Sequence, residues 1–164
     1  MRLLLGWLML WAFIDKLFGL GFNTCIDGKT GKFLGVMCKS AWLSGGSPTF
    51  GFLKFGTSGP LVAVFQGLAG SALVDWLFML GLLLIGLAMM LGIGLRVAGL
   101  SGAVMMALMY LASAMPPAHN PLIDDHIFYL FTFLAFAFAR PESSFSLGAR
   151  WRETALVKRW PIFE

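Results

Sequence analysis

The stretch VDWLFMLGLLLIGLAMMLGIG, residues 74–94, is apolar over almost its whole length and contains a single charged residue, Asp75. The hydrocarbon core of a bilayer is about 30 Å thick, and a helix needs roughly 20 apolar residues to cross it. Residues 74–94 therefore predict a transmembrane helix that carries Asp75 near one end.

Three further stretches have the composition of membrane-crossing helices: residues 3–22, 97–115 and 122–139. Of the 164 residues, 59% are hydrophobic and 12% are charged, and the mean hydropathy is +0.83. A soluble domain has about 25% charged residues, so this chain lacks the polar surface that a soluble globule needs. We therefore predict an all-α integral membrane protein, with a four-helix bundle in residues 1–140 and a basic, amphipathic cytoplasmic tail in residues 141–164.

A long loop rich in polar residues and glycine is predicted between the first two spans, over residues 23–73. Its last part, residues 60–73, is apolar but contains Gln66 and two glycines. This composition predicts an interfacial or re-entrant helix. The alternative is a second span that begins earlier and tilts in the membrane.

The middle of this loop, residues 41–56, is rich in aromatic side chains. They are Trp42, Phe50, Phe52 and Phe55. Large apolar side chains rarely stay exposed as a group on a soluble surface. We therefore expect this segment to pack over the end of the bundle.

The distribution of lysine and arginine predicts the orientation, because cytoplasmic ends of spans carry an excess of basic residues. Arg2 before an apolar run is typical of a signal peptide, but Asp15 and Lys16 interrupt the run and no A-x-A site follows, so a retained span is predicted. The side with both termini has seven basic residues and the other side has four, with intramembrane Lys16 left out. The seven are Arg2, Arg96, Arg140, Arg150, Arg152, Lys158 and Arg159, and the four are Lys29, Lys32, Lys39 and Lys54. A multi-pass plasma-membrane protein with both termini in the cytoplasm is predicted, and its long loop then faces outward.

The two cysteines, Cys25 and Cys38, lie in the outward loop. In an oxidising compartment they can form a disulfide, and two unrelated thiols are the alternative. The chain has no CxxC motif and no histidine near either cysteine. No metal site is therefore predicted.

Ionisable residues at membrane depth are candidates for function, although structural pairing is also common. Three of the predicted spans bring such residues to the outward end of the bundle. The candidates are Asp15, Lys16, Asp75, Asp124, Asp125, His126 and Tyr129. This polar cluster is either a structural ion-pair network or a redox or ligand site, where a histidine near carboxylates and a tyrosine would suit proton-coupled quinone chemistry.

Part of the polar cluster has a structural explanation at the start of the fourth span. Asn120 is a good N-cap and Pro121 a good first helical residue, and acidic side chains in a first turn favour the helix dipole. A lone ammonium deep in the membrane costs about 2.5–3.5 kcal/mol. Lys16 is therefore predicted to pair with Asp125 or Asp75 of another span.

Small residues predict where the helices touch, because helices in lipid associate through close backbone approach. The third span has such a stripe at four-residue spacing: Gly99, Ala103 and Ala107. The methionines of the second and third spans are interpreted as adaptable packing rather than as metal ligands.

The tail segment LGARWRETALVKRW, residues 147–160, mixes Trp151 and Trp160 with four basic residues. This mixture is typical of a helix that lies on an anionic inner leaflet. Docking to a partner subunit is an equally good interpretation.

Four segments carry a resemblance to a known family. They are RLLLGWLMLWAFIDKLF, AWLSGGSPTFGFL, DWLFMLGLLLIGLAMMLGIGLR and NPLIDDHIFYL, of which the NP-x-x-DDH pattern is the distinctive part. These segments resemble the DoxX-like membrane proteins, and among them most the DoxD-type membrane subunits of thiosulfate:quinone oxidoreductases. The resemblance implies a four-helix membrane bundle beside redox or sulfur-metabolising partners, and it assigns no catalytic residue.

Two functions fit these predictions. The first is a subunit of a redox assembly that passes electrons from a sulfur compound such as thiosulfate to membrane quinone, and it predicts a lipid-open, aromatic pocket at the polar cluster. The second is a non-catalytic subunit that anchors a larger respiratory or other membrane complex, and it predicts a closed and fully paired cluster. Both require membrane lipid and other protein subunits as partners.

Other classes of function are less well supported. No basic-aromatic interleaving suited to nucleic acid is present, and the spans show no inverted repeat or midplane break typical of a transporter. His119 and His126 lie near one surface on one segment, so two histidines of this chain are poorly placed to hold a haem. We expect this chain alone to bind no cofactor tightly. The redox hypothesis requires quinone as a cofactor.

Overall fold

The fold is all-helical in the part of the chain that the structure describes. This structure is a computed structural model, and it describes residues 1–113, 117, 122–139 and 146–163. The α-helices of these residues are α1 (Arg2–Phe18), α2 (Val62–Gly67), α3 (Ala72–Leu91), α4 (Leu95–Ser113), α5 (Asp125–Ala139), α6 (Gly148–Arg152) and α7 (Ala155–Arg159). Shorter helical turns are Trp42–Ser44, Phe52–Gly56 and Pro161–Phe163.

Two helices among the described residues are long and apolar enough to cross a membrane. They are α3, with 20 residues, and α4, with 19 residues. The helices α1 and α5 are shorter, at 17 and 15 residues. Two such helices support membrane association only weakly, and the predicted bundle of four membrane spans stays a prediction.

The helix ends differ from the predicted ends of the spans. The first span is predicted to reach residue 22, but α1 ends at Phe18, because Gly19 adopts a left-handed conformation with a φ of 68°. The Gly19 amide closes this end by donating to the Asp15 carbonyl at 2.7 Å. This is a frequent way for a helix to terminate. The fourth span is predicted from residue 122, but α5 begins at Asp125.

The helices α1 and α3 pack antiparallel at a crossing built on two glycines. A Cβ atom on Gly6 would lie 3.1 Å from the Gly86 carbonyl oxygen, and a Cβ on Gly86 would lie 3.0 Å from the Leu10 amide nitrogen. The two backbones are therefore in direct contact. At the start of α1, the buried Arg2 guanidinium donates to the Met89 carbonyl near the end of α3, which satisfies an acceptor that a helix end leaves free.

The helices α4 and α5 make a second close contact. A Cβ on Gly99 would lie 2.6 Å from the Phe133 carbonyl oxygen, and a Cβ on Gly102 would lie 2.6 Å from the Phe133 ring. Phe133 and Ala137 are fully buried there. The predicted stripe of small residues therefore does contact a neighbouring helix through Gly99. The Phe133 ring packs against Gly102, which is not part of the predicted stripe.

The core lies between the four long helices. Met79 and Met89 are completely buried in it, as the packing interpretation of the methionines requires. The buried residues of this core are Leu5, Met9, Met79, Leu82, Ile85, Met89, Ala98, Ala103, Met106 and Phe133.

The two ends of the bundle carry different segments. We call the end with residues 19–71 the loop end; it has the C-terminal ends of α1 and α4 and the N-terminal ends of α3 and α5. The opposite end, with residues 146–163, is the tail end. The Tyr110 hydroxyl of α4 donates to the Leu122 carbonyl at 2.9 Å, which joins α4 to the segment before α5 at the loop end.

Residues 41–56 pack over the loop end, as predicted, although not with all their aromatic side chains. The Trp42 and Trp76 rings meet edge to face with centroids 4.7 Å apart, and Leu53 is buried. Phe55, in contrast, is 78% exposed. The predicted packing is therefore confirmed for Trp42 but wrong for Phe55.

The segment 60–73 contains a separate short helix, α2, rather than an early start of the second span. Gly70, with a φ of 84°, lies between α2 and α3. The Gln66 amide donates to the Lys54 carbonyl at 3.3 Å and connects α2 to the preceding turn.

The tail forms two short helices and a final helical turn, not one amphipathic helix. The Leu147 amide donates to the Leu91 carbonyl at the end of α3 at 2.9 Å. The Trp151 indole donates to the Phe163 carbonyl at 2.6 Å and connects α6 to the final turn. The tail is thus folded back on the tail end of the bundle.

We expect Gly99→Ala to destabilise the protein by about 1–3 kcal/mol, because the new methyl group meets the rigid α5 backbone. The matched control is Gly81→Ala, where the methyl group would meet only the Met105 Cε atom, at 2.5 Å. That flexible side chain can move, so the control should keep its stability or gain slightly from higher helix propensity. Thermal unfolding in detergent measures both, and equal losses would contradict the backbone contact.

Candidate functional site

The Asp15 carboxylate fixes the turn that follows α1. Asp15 is 1% exposed, and its Oδ1 accepts the Phe22 amide at 3.1 Å. Its Oδ2 accepts the Asn23 and Thr24 amides, both at 3.0 Å. Hydrogen bonds to an ionised acceptor are among the strongest in proteins. The start of the loop is therefore wrapped around a buried carboxylate.

A disulfide continues this turn, because Cys25 and Cys38 are bonded with their Cα atoms 5.7 Å apart. Between them the chain forms a small hairpin, in which the Leu34 amide donates to the Cys25 carbonyl at 2.8 Å. At its tip, Asp27 accepts the amides of Thr30 and Lys29, and these hydrogen bonds lower the pKa of Asp27. The hairpin is therefore held at both its base and its tip.

The Asp75 carboxylate fixes the middle of the loop to the first turn of α3. Its Oδ1 accepts the Ser47 hydroxyl at 2.9 Å, the Thr49 amide at 3.2 Å and the Thr49 hydroxyl at 2.5 Å. Asp75 is 7% exposed and Thr49 is 5% exposed. Asp75 thus has the same role toward residues 47–49 that Asp15 has toward residues 22–24.

A third connection joins the loop to the end of α4. The Ser58 amide donates to the Ala112 carbonyl at 2.9 Å, and the Ser58 hydroxyl donates to the Ser113 carbonyl at 2.8 Å. These carbonyls have no partner within the helix, because they belong to its last turn. Residues 19–58, which we call the cap, are therefore connected to the ends of α1, α3 and α4.

The prediction for Lys16 is wrong: among the described residues, Lys16 pairs with neither of its predicted partners. Lys16 forms no ion pair with Asp75 or Asp125. The reason is that Asp75 is directed into the cap by Ser47, while Asp125 is exposed on the first turn of α5. The seven candidates thus share one end of the bundle without forming one network.

The side chains of Asp124 and His126 form a hydrogen bond at the start of α5. The Nδ1 atom of His126 lies 2.5 Å from Oδ2 of Asp124, and the side chains are 25% and 19% exposed respectively. Burial raises the pKa of Asp124, but hydrogen bonds from His126 and the Ile127 amide outweigh it and lower this pKa. No described hydrogen bond uses the Nε2 atom of His126.

Asp124 also caps α5, in place of the predicted N-cap. Its Oδ1 accepts the Ile127 amide at 3.1 Å, and its carbonyl accepts the Phe128 amide at 3.3 Å. These are the hydrogen bonds of an N-cap residue. The predicted N-cap Asn120 and first helical residue Pro121 lie outside the described residues.

An apolar groove of about 420 Å³ lies along the outer face of α5. It is lined by Ile123, Ile127, Phe128, Phe131, Thr132 and Ala135. Successive helical residues are turned by about 100°, so His126 projects on the opposite side of α5, in line with the buried Phe133. The groove is aromatic, as the redox hypothesis requires, but it is not at the polar cluster.

Tyr129 packs in the interior of the bundle and is separate from the contact between Asp124 and His126. It lies against the hydrophobic core, and its ring meets the Phe128 ring edge to face at 6.3 Å. No described hydrogen bond joins Tyr129 to His126. The described residues also contain no group of three or more histidine, cysteine, aspartate or glutamate side chains that could hold a metal ion.

The residues that satisfy these carboxylates carry no signal in the sequence. Ser47 and Thr49 read as ordinary loop residues, because nothing in their local sequence indicates a partner 26 residues or more away. Arg2 was counted only for orientation, although its position beside the end of α3 follows from an antiparallel pair of helices. A basic side chain near a helix C-terminus is favourable and was the available signal.

We expect Asp15→Ala to destabilise the protein by about 3 kcal/mol, because three amides would lose a charged acceptor. Asp15→Asn should cost less, since one acceptor oxygen remains. The control is Asp125→Ala, which removes an exposed carboxylate from a first turn and should cost less than about 1 kcal/mol. Unfolding in detergent measures all three, and a loss with Asp125→Ala equal to that with Asp15→Ala would contradict the structural role of Asp15.

Comparisons with protein-family models, with functionally described proteins and with solved structures found no match to this chain. No family is therefore shown for it, and the resemblance to the DoxX-like proteins stays a prediction.

Proposed function

We propose that this chain is a multi-pass membrane protein that anchors a larger membrane complex. In this proposal α1, α3, α4 and α5 cross the plasma membrane, both termini lie in the cytoplasm, and the cap faces outward. The chain has no catalytic role of its own. The observation that carries the proposal is a cap that is connected to three helix ends and leaves apolar side chains exposed.

The four long helices support the membrane part of the proposal. At 1.5 Å per residue, α3 is about 30 Å long, which matches a hydrocarbon core. The shorter α1 and α5 pack along α3 and α4 and so extend through much of the same layer. Each of the four has large apolar side chains that are more than half exposed, such as Leu4, Leu84, Val104 and Phe131. Lipid is the environment in which such outward faces are stable.

The cap supports the anchoring part. It is fixed to three helix ends by Asp15, Asp75 and Ser58, and it still leaves a group of apolar side chains exposed. These are Phe22 at 62%, Phe33 at 51%, Leu34 at 57%, Val36 at 57% and Met37 at 43%. A fixed, contiguous apolar surface is typical of a protein interface. We therefore propose that another subunit covers the cap hairpin.

The distribution of hydrogen bonds favours anchoring over catalysis. Both oxygens of Asp15 and the Oδ1 atom of Asp75 accept hydrogen bonds from loop amides and hydroxyls, so these three atoms have little capacity left for a substrate. The resemblance to the DoxX-like proteins supports a redox assembly as the complex, for example one that oxidises a sulfur compound such as thiosulfate with quinone as acceptor.

Purification from native membranes in a mild detergent tests the anchoring proposal. We expect the wild-type chain to elute in a stoichiometric complex heavier than its own 17.9 kDa, measured by native mass spectrometry. The variant Phe33→Ser with Leu34→Ser should lose most of this partner. The control Val64→Ser with Leu68→Ser alters exposed apolar residues of α2 and its C-cap and should retain the partner. A wild-type chain that elutes alone, or a control that also loses the partner, would contradict the proposal.

A second candidate is a quinone-binding redox subunit, and the Asp124–His126 pair favours it. Quinones take up electrons together with protons, and an imidazole nitrogen can donate a hydrogen bond to a carbonyl or accept one from a hydroxyl. We propose the Nε2 atom of His126 for this contact, because no described hydrogen bond uses it. Asp124 would hold the ring through Nδ1, as carboxylates do for many functional histidines.

Titration with decylubiquinone in detergent tests the second candidate, with tryptophan fluorescence as the readout. We expect His126→Gln to weaken binding about tenfold, which corresponds to one good hydrogen bond. Ala135→Trp fills the groove on α5, and Ala72→Trp is its matched control on an exposed position of α3. Loss of binding with Ala135→Trp and not with His126→Gln would assign the quinone to the groove and reject His126.

A further inference from the structure

The tail end carries a surface whose chemistry differs from that of the cap. We propose that the folded tail, residues 146–163, binds the anionic headgroups of the membrane leaflet at the tail end. This inference rests on the membrane-spanning architecture proposed above, but it is independent of the partner of the cap.

The tail is fixed beside the end of α3. The Ser146 hydroxyl donates to the Gly92 carbonyl at 3.2 Å, and the Leu147 amide donates to the Leu91 carbonyl at 2.9 Å. At the other end of the tail, the Phe163 carbonyl oxygen lies 3.7 Å from where a Cβ on Gly94 would be. If α3 crosses the bilayer, these contacts hold the tail at the depth of the headgroups.

The charged side chains of the tail point to an anionic partner. Four basic residues and one acidic residue, Glu153, lie in residues 146–163, and all five side chains are exposed. The basic residues are Arg150 and Arg152 in α6 and Lys158 and Arg159 in α7. A guanidinium group matches the geometry of phosphate oxygens and binds them through two hydrogen bonds.

Apolar side chains lie close to these cations in the sequence and are also exposed. Leu156 is 47% exposed, Trp160 is 55% exposed and Ile162 is 51% exposed, whereas Val157 is buried inside the tail. Basic residues mixed with tryptophan and aliphatic residues are typical of segments in the headgroup region. Because the tail is held at the end of α3, this mixture lies where the headgroups of a bilayer crossed by α3 would be. The position of the tail therefore favours lipid as the partner at this end.

Titration of the purified protein with short-chain lipids tests this inference. The probes are dioctanoyl phosphatidylglycerol and dioctanoyl phosphatidylcholine, which differ in headgroup charge, and native mass spectrometry counts the bound lipids. We expect the wild type to prefer phosphatidylglycerol at least tenfold, since each basic residue near an anionic surface contributes about fivefold. The triple variant Arg150→Gln, Lys158→Gln and Arg159→Gln should lose this preference.

A second triple variant is the matched control. Lys29→Gln, Lys32→Gln and Lys39→Gln remove the same charge from exposed positions of the cap and should keep the preference. The wild-type preference should also fall between 50 and 500 mM salt, because added ions screen exposed charges, and this measurement does not depend on the folding of a variant. Three results would overturn the inference: no preference in the wild type, an equal loss in the cap control, or displacement of the lipid by inorganic phosphate.

The outcomes separate this inference from the anchoring proposal. The cap variants test for loss of the protein partner, and the tail variants test for loss of the lipid preference. Each can fail while the other holds.

Discussion

Buried carboxylates that lack a charged partner in another helix determine how the loop end is built. Asp15 and Asp75 are almost inaccessible to solvent, and a buried carboxylate is stable only when its oxygens are satisfied. Backbone amides and hydroxyls of the cap supply these hydrogen bonds, so the path of the chain from residue 22 to residue 49 follows from two side chains in the helices. The disulfide and the contacts of Ser58 complete a cap that is connected to three helix ends.

The helices beneath the cap depend on a different constraint, the close approach of their backbones. Gly6 and Gly86 form the contact between α1 and α3, and Gly99 and Gly102 accept α5 and the Phe133 ring. Apolar side chains alone provide little specificity where the surroundings are also apolar. Glycines therefore determine which helix faces meet, and the methionines fill the irregular space between them. Arg2 and the tail then satisfy the carbonyls at the end of α3.

Polar groups at the loop end fall into two classes with different consequences for function. The carboxylates of Asp15 and Asp75 accept hydrogen bonds from the cap, which hold the cap against the ends of α1 and α3. Asp124 and His126 are partly exposed, and one imidazole nitrogen has no partner among the described residues. At the tail end, exposed arginines and tryptophan replace buried carboxylates. The two ends thus differ in chemistry: the cap exposes apolar side chains, which carry the proposal of a protein partner, and the tail exposes cationic and apolar side chains, which carry the proposal of bound lipid headgroups.

Composition and local pattern alone indicated much of the architecture: four long apolar helices, a cap with Trp42 packed beneath it, and polar residues gathered at one end. These features depend on hydrophobicity and on spacing along one helix, which a sequence displays directly. The partners of Asp15, Asp75 and Lys16 could not be predicted from the sequence. A cation, an amide or a hydroxyl can each satisfy a carboxylate, and the sequence does not rank partners that lie far apart along the chain. Only the tertiary structure decided that loop amides and hydroxyls reach Asp15 and Asp75 while no carboxylate of another described helix pairs with Lys16, since that depends on how the cap folds over the helix ends.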